Sequence, residues 1–198
     1  MTVTAPIRLY AVEEYLQLEE CAEDKHEYLN GKIDKMPGAT GIHNIIVANV
    51  ITALNIALKK REKKYIVIGS DMKIRIEAFN HIRYPDAVVV CEKLEYYGNR
   101  QDVIVNPLLI VEVLSDSTAE FDRGIKFEEY KTLSSFREYV LISQRMTYVT
   151  TYFREEDELW RIHNTTNPQD IVDLRSLECR LALQDIYEHI DLAQVENQ

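Results

Sequence analysis

Positive charge is what this chain is short of. Its 198 residues hold 23 Lys and Arg against 33 Asp and Glu, a formal net charge of -10 with a sequence pI near 5.0. The summed field repels phosphate, which excludes a protein that coats nucleic acid or anionic membrane by bulk charge. A nucleic-acid enzyme with a local basic track stays open. Cysteine is also scarce: Cys21, Cys91 and Cys179 are odd in number and form no C-x-x-C pair or Cys/His cluster, which argues against a disulfide framework or a structural zinc site. With 6 Gly, 5 Pro and no Ser/Gly or Pro-rich linker, the expectation is one domain over residues 1–198. No stretch approaches the roughly 18 uninterrupted apolar residues of a membrane span. Met1–Tyr10 lacks the basic patch and apolar run of a secretory signal. The expectation is a soluble cytoplasmic protein with reduced cysteines and no membrane partner. What the chain does have is 46% hydrophobic and 28% charged residues, the balance of a protein with a proper core.

Periodicity supplies the elements. Residues 11–20 read as an amphipathic helix with Val12, Tyr15, Leu16 and Leu18 turned inward. His26–Leu29 and Lys32–Met36 read as a hairpin, because Asn30-Gly31 suits the two positive-φ positions of a type I′ turn. Residues 42–60 carry the longest helical pattern, with Ile46, Val47, Val50, Leu54 and Leu58 on the inner face and Asn44, Thr52 and Asn55 on the outer one. Strands are expected at Tyr65–Ser70 and at Met72–Ala78, where Met72, Ile74 and Ile76 alternate with Lys73, Arg75 and Glu77. Asp86–Glu92 and Leu108–Leu114 are continuous apolar runs, as in central strands covered on both faces. Ser117-x-x-Glu120 reads as a capping box opening a helix to about Ser134, and Tyr139–Ser143 as the next strand, together a right-handed parallel crossover. Thr147–Arg154 and Leu159–His163 form an expected antiparallel hairpin carrying Trp160 as a packing residue, and a short helix near Gln184–Ile190 ends the pattern. The class is α/β or α+β.

Polar groups inside apolar strands are the informative departures, because burying a charge is costly unless something binds it. Asp86 follows Pro85 at the start of DAVVVC, and Glu112 interrupts LLIVEVL. Taken alone, Asp86 reads as a turn residue and Glu112 is undecided. Together, on two neighbouring strands, they suggest carboxylates whose repulsion a divalent cation relieves. Asp122, Lys126, Tyr130 and Leu133 share one helical stripe. On spacing alone, an exposed Asp122–Lys126 pair is the better reading. His43 sits on the face of Val47 and Val50, where a core or capping role is as good as a place in a cleft. Lys59, Lys60, Arg61, Lys63 and Lys64 could grip phosphates, but a solvated basic helix end is slightly favoured. No Walker loop, G-x-G-x-x-G or nucleophile elbow is present.

The ordered set Pro85-Asp86, VEVLSDST (Val111–Thr118), DRGIKFEEY (Asp122–Tyr130) and REYVLI (Arg137–Ile142) resembles the Uma-type restriction-endonuclease family of the PD-(D/E)XK nuclease superfamily. The upstream HEYLNGKIDKMPGATGIHN (His26–Asn44) is similar to the same family's E-Y-x-x-G-x-I…M…H stretch. The resemblance implies a restriction-endonuclease-like core, a central mixed sheet flanked by helices, with an N-terminal hairpin and a C-terminal β-hairpin. It implies that Asp86 and Glu112 hold Mg2+ or Mn2+ with the carbonyl of Val113. The superfamily's lysine lies two residues after the glutamate, and here that position is Leu114; Lys126 matches a lysine moved to the next helix. Glu27 matches an upstream acidic residue, while Asp122 and Tyr130 would line the same site. The implied activity is a metal-dependent endonuclease, with DNA the expected substrate. A homodimer would suit double-strand cleavage, which needs two sites. The alternative is a catalytically silent nuclease fold serving as a binding or assembly module; Leu114 and the acidic surface favour it, and Asp86, Glu112 and Lys126 count against it.

Overall fold

The computed structural model describes residues 8–115 and 119–192. Helix α1 (Val12–Glu20) leads to a hairpin of β1 (His26–Leu29) and β2 (Lys32–Lys35), then to the long helix α2 (Gly41–Leu58). Strands β3 (Tyr65–Gly69), β4 (Lys73–Ile76), β5 (His81–Arg83), β6 (Ala87–Cys91), β7 (Val103–Ile104) and β8 (Leu109–Leu114) follow. A helical stretch made of α3 (Ala119–Phe121), a π-helical turn (Asp122–Lys126) and α4 (Phe127–Lys131) crosses to β9 (Glu138–Ser143). Then come β10 (Val149–Arg154), β11 (Trp160–Thr165), β12 (Ile171–Leu174), β13 (Cys179–Ala182) and α5 (Leu183–Ile186).

The two apolar runs lie side by side in a six-stranded sheet of order β11-β10-β9-β8-β6-β3. β8 runs parallel to β9 and antiparallel to β6, so the crossover read from the sequence is present. Alternate residues of these strands face opposite sides, and both sides are covered. On one side Ala87, Val89, Val111, Val113 and Val140 pack against Ile46, Val50 and Leu54 of α2, with the β12–β13 hairpin and α5 closing the edge. On the other side Val88, Ile110, Leu114 and Leu141 pack against Tyr130 and Leu133, and against Ile74 and Ile76 of β4. Phe127 stacks on Tyr139 and meets Trp160 edge-on, so Trp160 is a packing residue.

The expected central mixed sheet is present, and two further sheets accompany it. A second, five-stranded sheet has the order β2-β1-β5-β4-β7, and β12 pairs with β13 alone. Two features hid the second sheet. β5 is only three residues, HIR, and its polar composition reads as loop. In β4 the alternating Lys73 and Arg75 are buried rather than solvent-facing, each 7% exposed, because Lys73 pairs with Asp102 and Arg75 donates to the His81 carbonyl and to Asn80 Oδ1. Leu18 also differs from expectation, being 52% exposed. The inward stripe of α1 continues from Val12, Tyr15 and Leu16 to Glu19, whose carboxylate is buried on Tyr84 and His26. The C-terminal helix is shorter than expected and is preceded by a hairpin that the sequence pattern did not disclose. The Ser117–Glu120 capping box falls partly outside the described residues.

The β1–β2 turn is as expected: Asn30 has φ 47° and Gly31 φ 95°. A Cβ at Gly31 would lie 3.1 Å from Leu9. Gly31→Ala should therefore cost about 1–2 kcal/mol, read as a lower urea midpoint at unchanged slope. An unshifted midpoint would contradict the strained turn.

Candidate active site

The site begins at β8. Glu112 shares a face with Ile110 and Leu114, so its carboxylate enters the layer beneath α3 and α4, and it is 4% exposed. On the neighbouring strand Ala87 opposes Val111, which brings Asp86 to the next step of the ladder, beside Glu112. Both Asp86 oxygens are held: Oδ2 accepts the Val113 N–H at 2.6 Å, and Oδ1 lies 2.9 Å from His43 Nε2. His43 belongs to the first turn of α2, whose N-cap is Thr40; the Thr40 hydroxyl oxygen accepts the His43 N–H. The reading of His43 as a cleft residue is the one the geometry supports.

Lys126 arrives from the opposite side. In the π-helical turn Arg123, Gly124 and Ile125 loop outward while Asp122 and Lys126 both point in, at 2% and 8% exposure. Their pairing at 2.9 Å is thus buried, not the exposed surface pair that spacing favoured. Lys126 Nζ also donates to Glu112 Oε1 at 3.1 Å, and the Tyr130 hydroxyl donates to the same oxygen at 3.0 Å. Burial pushes the Glu112 carboxyl well above the usual carboxylate range; Lys126 opposes this, and Asp122 and Asp86 add to it. Burial alone would discharge Lys126, but Glu112, Asp122 and Glu27 hold it charged, above the ordinary lysine range. One ammonium faces both Glu112 and Asp122, which leaves the site short of positive charge. Leu114, where the superfamily pattern has lysine, packs in the core with Tyr130.

Glu27 is placed by a cluster that sequence reasoning missed. Arg83, 1% exposed, donates to Glu27 Oε2 and forks onto Glu129 through Nε at 2.8 Å and Nη2 at 2.7 Å. His81 Nδ1 lies 3.0 Å from Glu129 Oε1. Glu27 Oε1 is buried and finds no hydrogen-bond partner among the described residues. Burial would raise the Glu129 pKa, but His81 and Arg83 outweigh it and hold it at about 2. The one signal for Arg83 was its position two residues before Pro85, and it was masked because β5 itself was not read as a strand.

Glu27, His43, Asp86, Glu112, Val113, Asp122 and Lys126 all line one cleft of about 860 Å³. Lys59, Lys60, Arg61, Lys63 and Lys64 do not. They are exposed beyond the far end of α2, about 24 Å along the helix axis from His43 at 1.5 Å per residue. Among the described residues no three His, Cys, Asp or Glu side chains are gathered as a ready cage for a metal. Two mutually repelling carboxylates in one cleft nonetheless fit Mg2+, which keeps several of its own waters.

This arrangement, a mixed sheet whose central strands bring an Asp and a Glu to one cleft, is a restriction-endonuclease-like fold. A crystal structure of an Anabaena variabilis protein, described as a "putative nuclease belonging to DUF820", superposes with a TM-score of 0.70 at 20% identity, covering 91% of this chain and 97% of that one. The chain belongs to the Uma2 family, described as "Putative restriction endonuclease", whose model matches residues 12–184. Two Synechocystis sp. (strain ATCC 27184 / PCC 6803 / Kazusa) proteins described as uncharacterised are similar to it. One, sll1609, is 36% identical over 160 residues, 81% of this chain and 89% of that protein. The other, slr1290, is 33% identical over 184 residues, 93% and 94% respectively.

The Glu129 cluster has a definite pH signature. Its folded pKa, about 2, lies below the ordinary 4.5, so the stabilisation is complete above about pH 4.5 and is lost as pH falls toward 2. Glu129→Gln should cost about 3 kcal/mol at pH 7, measured by urea unfolding, and its deficit should shrink between pH 4.5 and 2. A deficit independent of pH would contradict the assigned pairing.

Proposed function

We propose that this chain is a metal-dependent nuclease that hydrolyses phosphodiester bonds, with DNA as its substrate. The observation that carries the reading is the 3.1 Å contact between Lys126 Nζ and Glu112 in the cleft that Asp86 and Glu27 also line. A lysine beside a strand carboxylate is the pairing the superfamily pattern requires, reached here from the helix instead of from position 114. Asp86 and Glu112, with the carbonyl of Val113, would hold Mg2+ or Mn2+. Such a cation, when bound, polarises the phosphoryl oxygens and lowers the pKa of a water.

The chain's own residues do the rest. His43 and the Val113 N–H fix the Asp86 carboxylate, and Tyr130 fixes that of Glu112, so both are oriented before any substrate arrives. Lys126 keeps its charge in a buried setting, where it offsets negative charge growing on the phosphoryl oxygens and can orient the attacking water. Glu27, clamped through one oxygen by Arg83, has its other oxygen free to accept from that water.

A second reading, a silent nuclease fold used as a binding module, is favoured by one observation: both Asp86 oxygens have protein partners. Lys126 variants separate the two. Lys126→Met removes the one cation paired with Glu112 and Asp122 among the described residues, a cost of about 3–5 kcal/mol, so Lys126→Arg, which keeps the charge, serves as the folded control. On the nuclease reading, Lys126→Arg retains its thermal midpoint and loses at least about 100-fold in Mg2+-dependent kcat. Wild-type protein that cleaves neither DNA nor RNA with Mg2+ or Mn2+ would favour the binding module. Full activity in Lys126→Arg would remove the lysine from the mechanism.

A further inference from the structure

Gln144 is a buried amide of which the fold uses only one end. It follows β9 directly, is 9% exposed and lines the cleft beside Thr40. Its Oε1 accepts the Thr40 hydroxyl proton at 2.8 Å, and its Nε2 donates to nothing among the described residues. The Thr40 hydroxyl accepts the His43 N–H and has its own proton to give, which sets the amide with its oxygen toward Thr40 and its nitrogen away. A buried amide nitrogen without an acceptor costs stability, so such a group calls for an explanation.

The same corner of the cleft holds two more unmet donors. Helix α2 begins there and is 18 residues long, and its first N–H groups have no acceptor within the helix. Thr40 meets the N–H of His43 through its hydroxyl and that of Asn44 through its carbonyl. Those of Gly41 and Ile42 have no partner among the described residues. They point to the N-terminal end of the helix, where Gly38, Ala39 and Thr40 line the cleft, and the aligned peptide dipoles make that end positive. No acidic side chain occupies the first turn, and a Cβ on Gly41 would meet nothing within 4 Å, so the approach is open.

We propose that Gly41, Ile42 and Gln144 form a phosphate-binding subsite in the wall of the cleft, and that its occupant is the phosphate of the substrate strand next to the one cleaved. Neutral N–H donors around a positive helix end suit phosphodiester oxygens, which accept hydrogen bonds and do not donate them. They suit a metal cation badly, since these nitrogens offer it no lone pair. The subsite holds an anion without lysine or arginine, and so needs none of the positive charge that a chain of net -10 is short of. His43 fixes its place. That residue lies two positions beyond Gly41 on the same turn, and its ring reaches Asp86 at 2.9 Å. The donors therefore stand a side chain's length from the site carboxylates, too far for a phosphate seated between those carboxylates and within reach of its neighbour along the strand. The assignment to a substrate strand rests on the nuclease reading; the binding of phosphate does not.

Inorganic phosphate, titrated without metal and followed by amide NMR spectra, reads the subsite directly. The backbone amides of Gly41 and Ile42 and the side-chain amide of Gln144 should shift together and saturate. Gly41 is the first residue of the helix, and Thr40 before it has φ -75° and ψ 163°, so Gly41→Pro fits the backbone while removing one N–H, and should keep or raise the thermal midpoint. Gln144→Glu keeps the acceptor for the Thr40 hydroxyl and turns a carboxylate oxygen toward the phosphate. Each variant should weaken phosphate binding by about tenfold or more, as the loss of a hydrogen bond to a charged group does. If Gln144→Glu lowers the thermal midpoint, Gly41→Pro alone decides. Amides that do not shift, or wild-type affinity in the folded variants, would overturn the subsite. For the strand, tetrathymidylate binding in EDTA is compared with analogues carrying one neutral methylphosphonate in place of a phosphate. One internal position should weaken binding in wild type and have no further effect in Gly41→Pro. Binding that depends on a terminal phosphate instead, or on no internal one, overturns the assignment to the strand. Saturable phosphate at these donors, in protein that cleaves neither DNA nor RNA, contradicts the nuclease reading and leaves the subsite standing.

Discussion

Lys126 is a single ammonium set between Glu112 and Asp122, 8% exposed and reached by both carboxylates within about 3 Å. Three groups of that kind would not stay buried separately, since each pays several kcal/mol to leave water. Their mutual satisfaction fixes the helical stretch 119–131 against β8 and keeps Glu112 from dragging water into an otherwise apolar layer. The π-helical turn makes this possible by letting three residues bulge to solvent while the two charged ends of the turn point inward. One cation facing more than one acid also leaves the site short of positive charge, and that deficit is what the proposed metal would meet.

The second polar centre ties the two larger sheets together. Arg83 on β5 reaches Glu27 on β1 and Glu129 on α4, so the five-stranded sheet is anchored to the helix that carries Lys126. Its guanidinium geometry allows one fork on Glu129 and a further bond to Glu27, which a lysine could not make. Glu27 is left with one buried oxygen without a hydrogen-bond partner among the described residues, and its position is fixed by Arg83, which lines the cleft beside it.

Much of this was legible because strand and helix periods are stiff rules. The hairpin turn followed from Asn30-Gly31, the two central strands from their apolar runs, and the side-by-side placing of Asp86 and Glu112 from polarity inside those runs. What was hidden depends on partners distant in sequence. The charged β4 and β5 looked solvent-facing because the groups that pair with Lys73, Arg75 and Arg83 come from other segments. Asp122–Lys126 looked like a surface pair because spacing cannot say which side of a helix meets Glu112. Lys59–Lys64 was legible as a basic segment, but only the straight length of α2 shows that it stands far from its own cleft.

The -10 charge and the cleft therefore belong to one account: acids are concentrated where a cation would sit, and the positive track is held elsewhere on the chain. The central claim, that Asp86 and Glu112 together hold a divalent cation, is tested most directly by Mn2+ binding followed by electron paramagnetic resonance. Wild-type protein should bind Mn2+ saturably, and Glu112→Gln or Asp86→Asn should weaken that binding by about tenfold or more while the fold persists. Absence of saturable binding at millimolar Mn2+, or unaltered affinity in both variants, would contradict it.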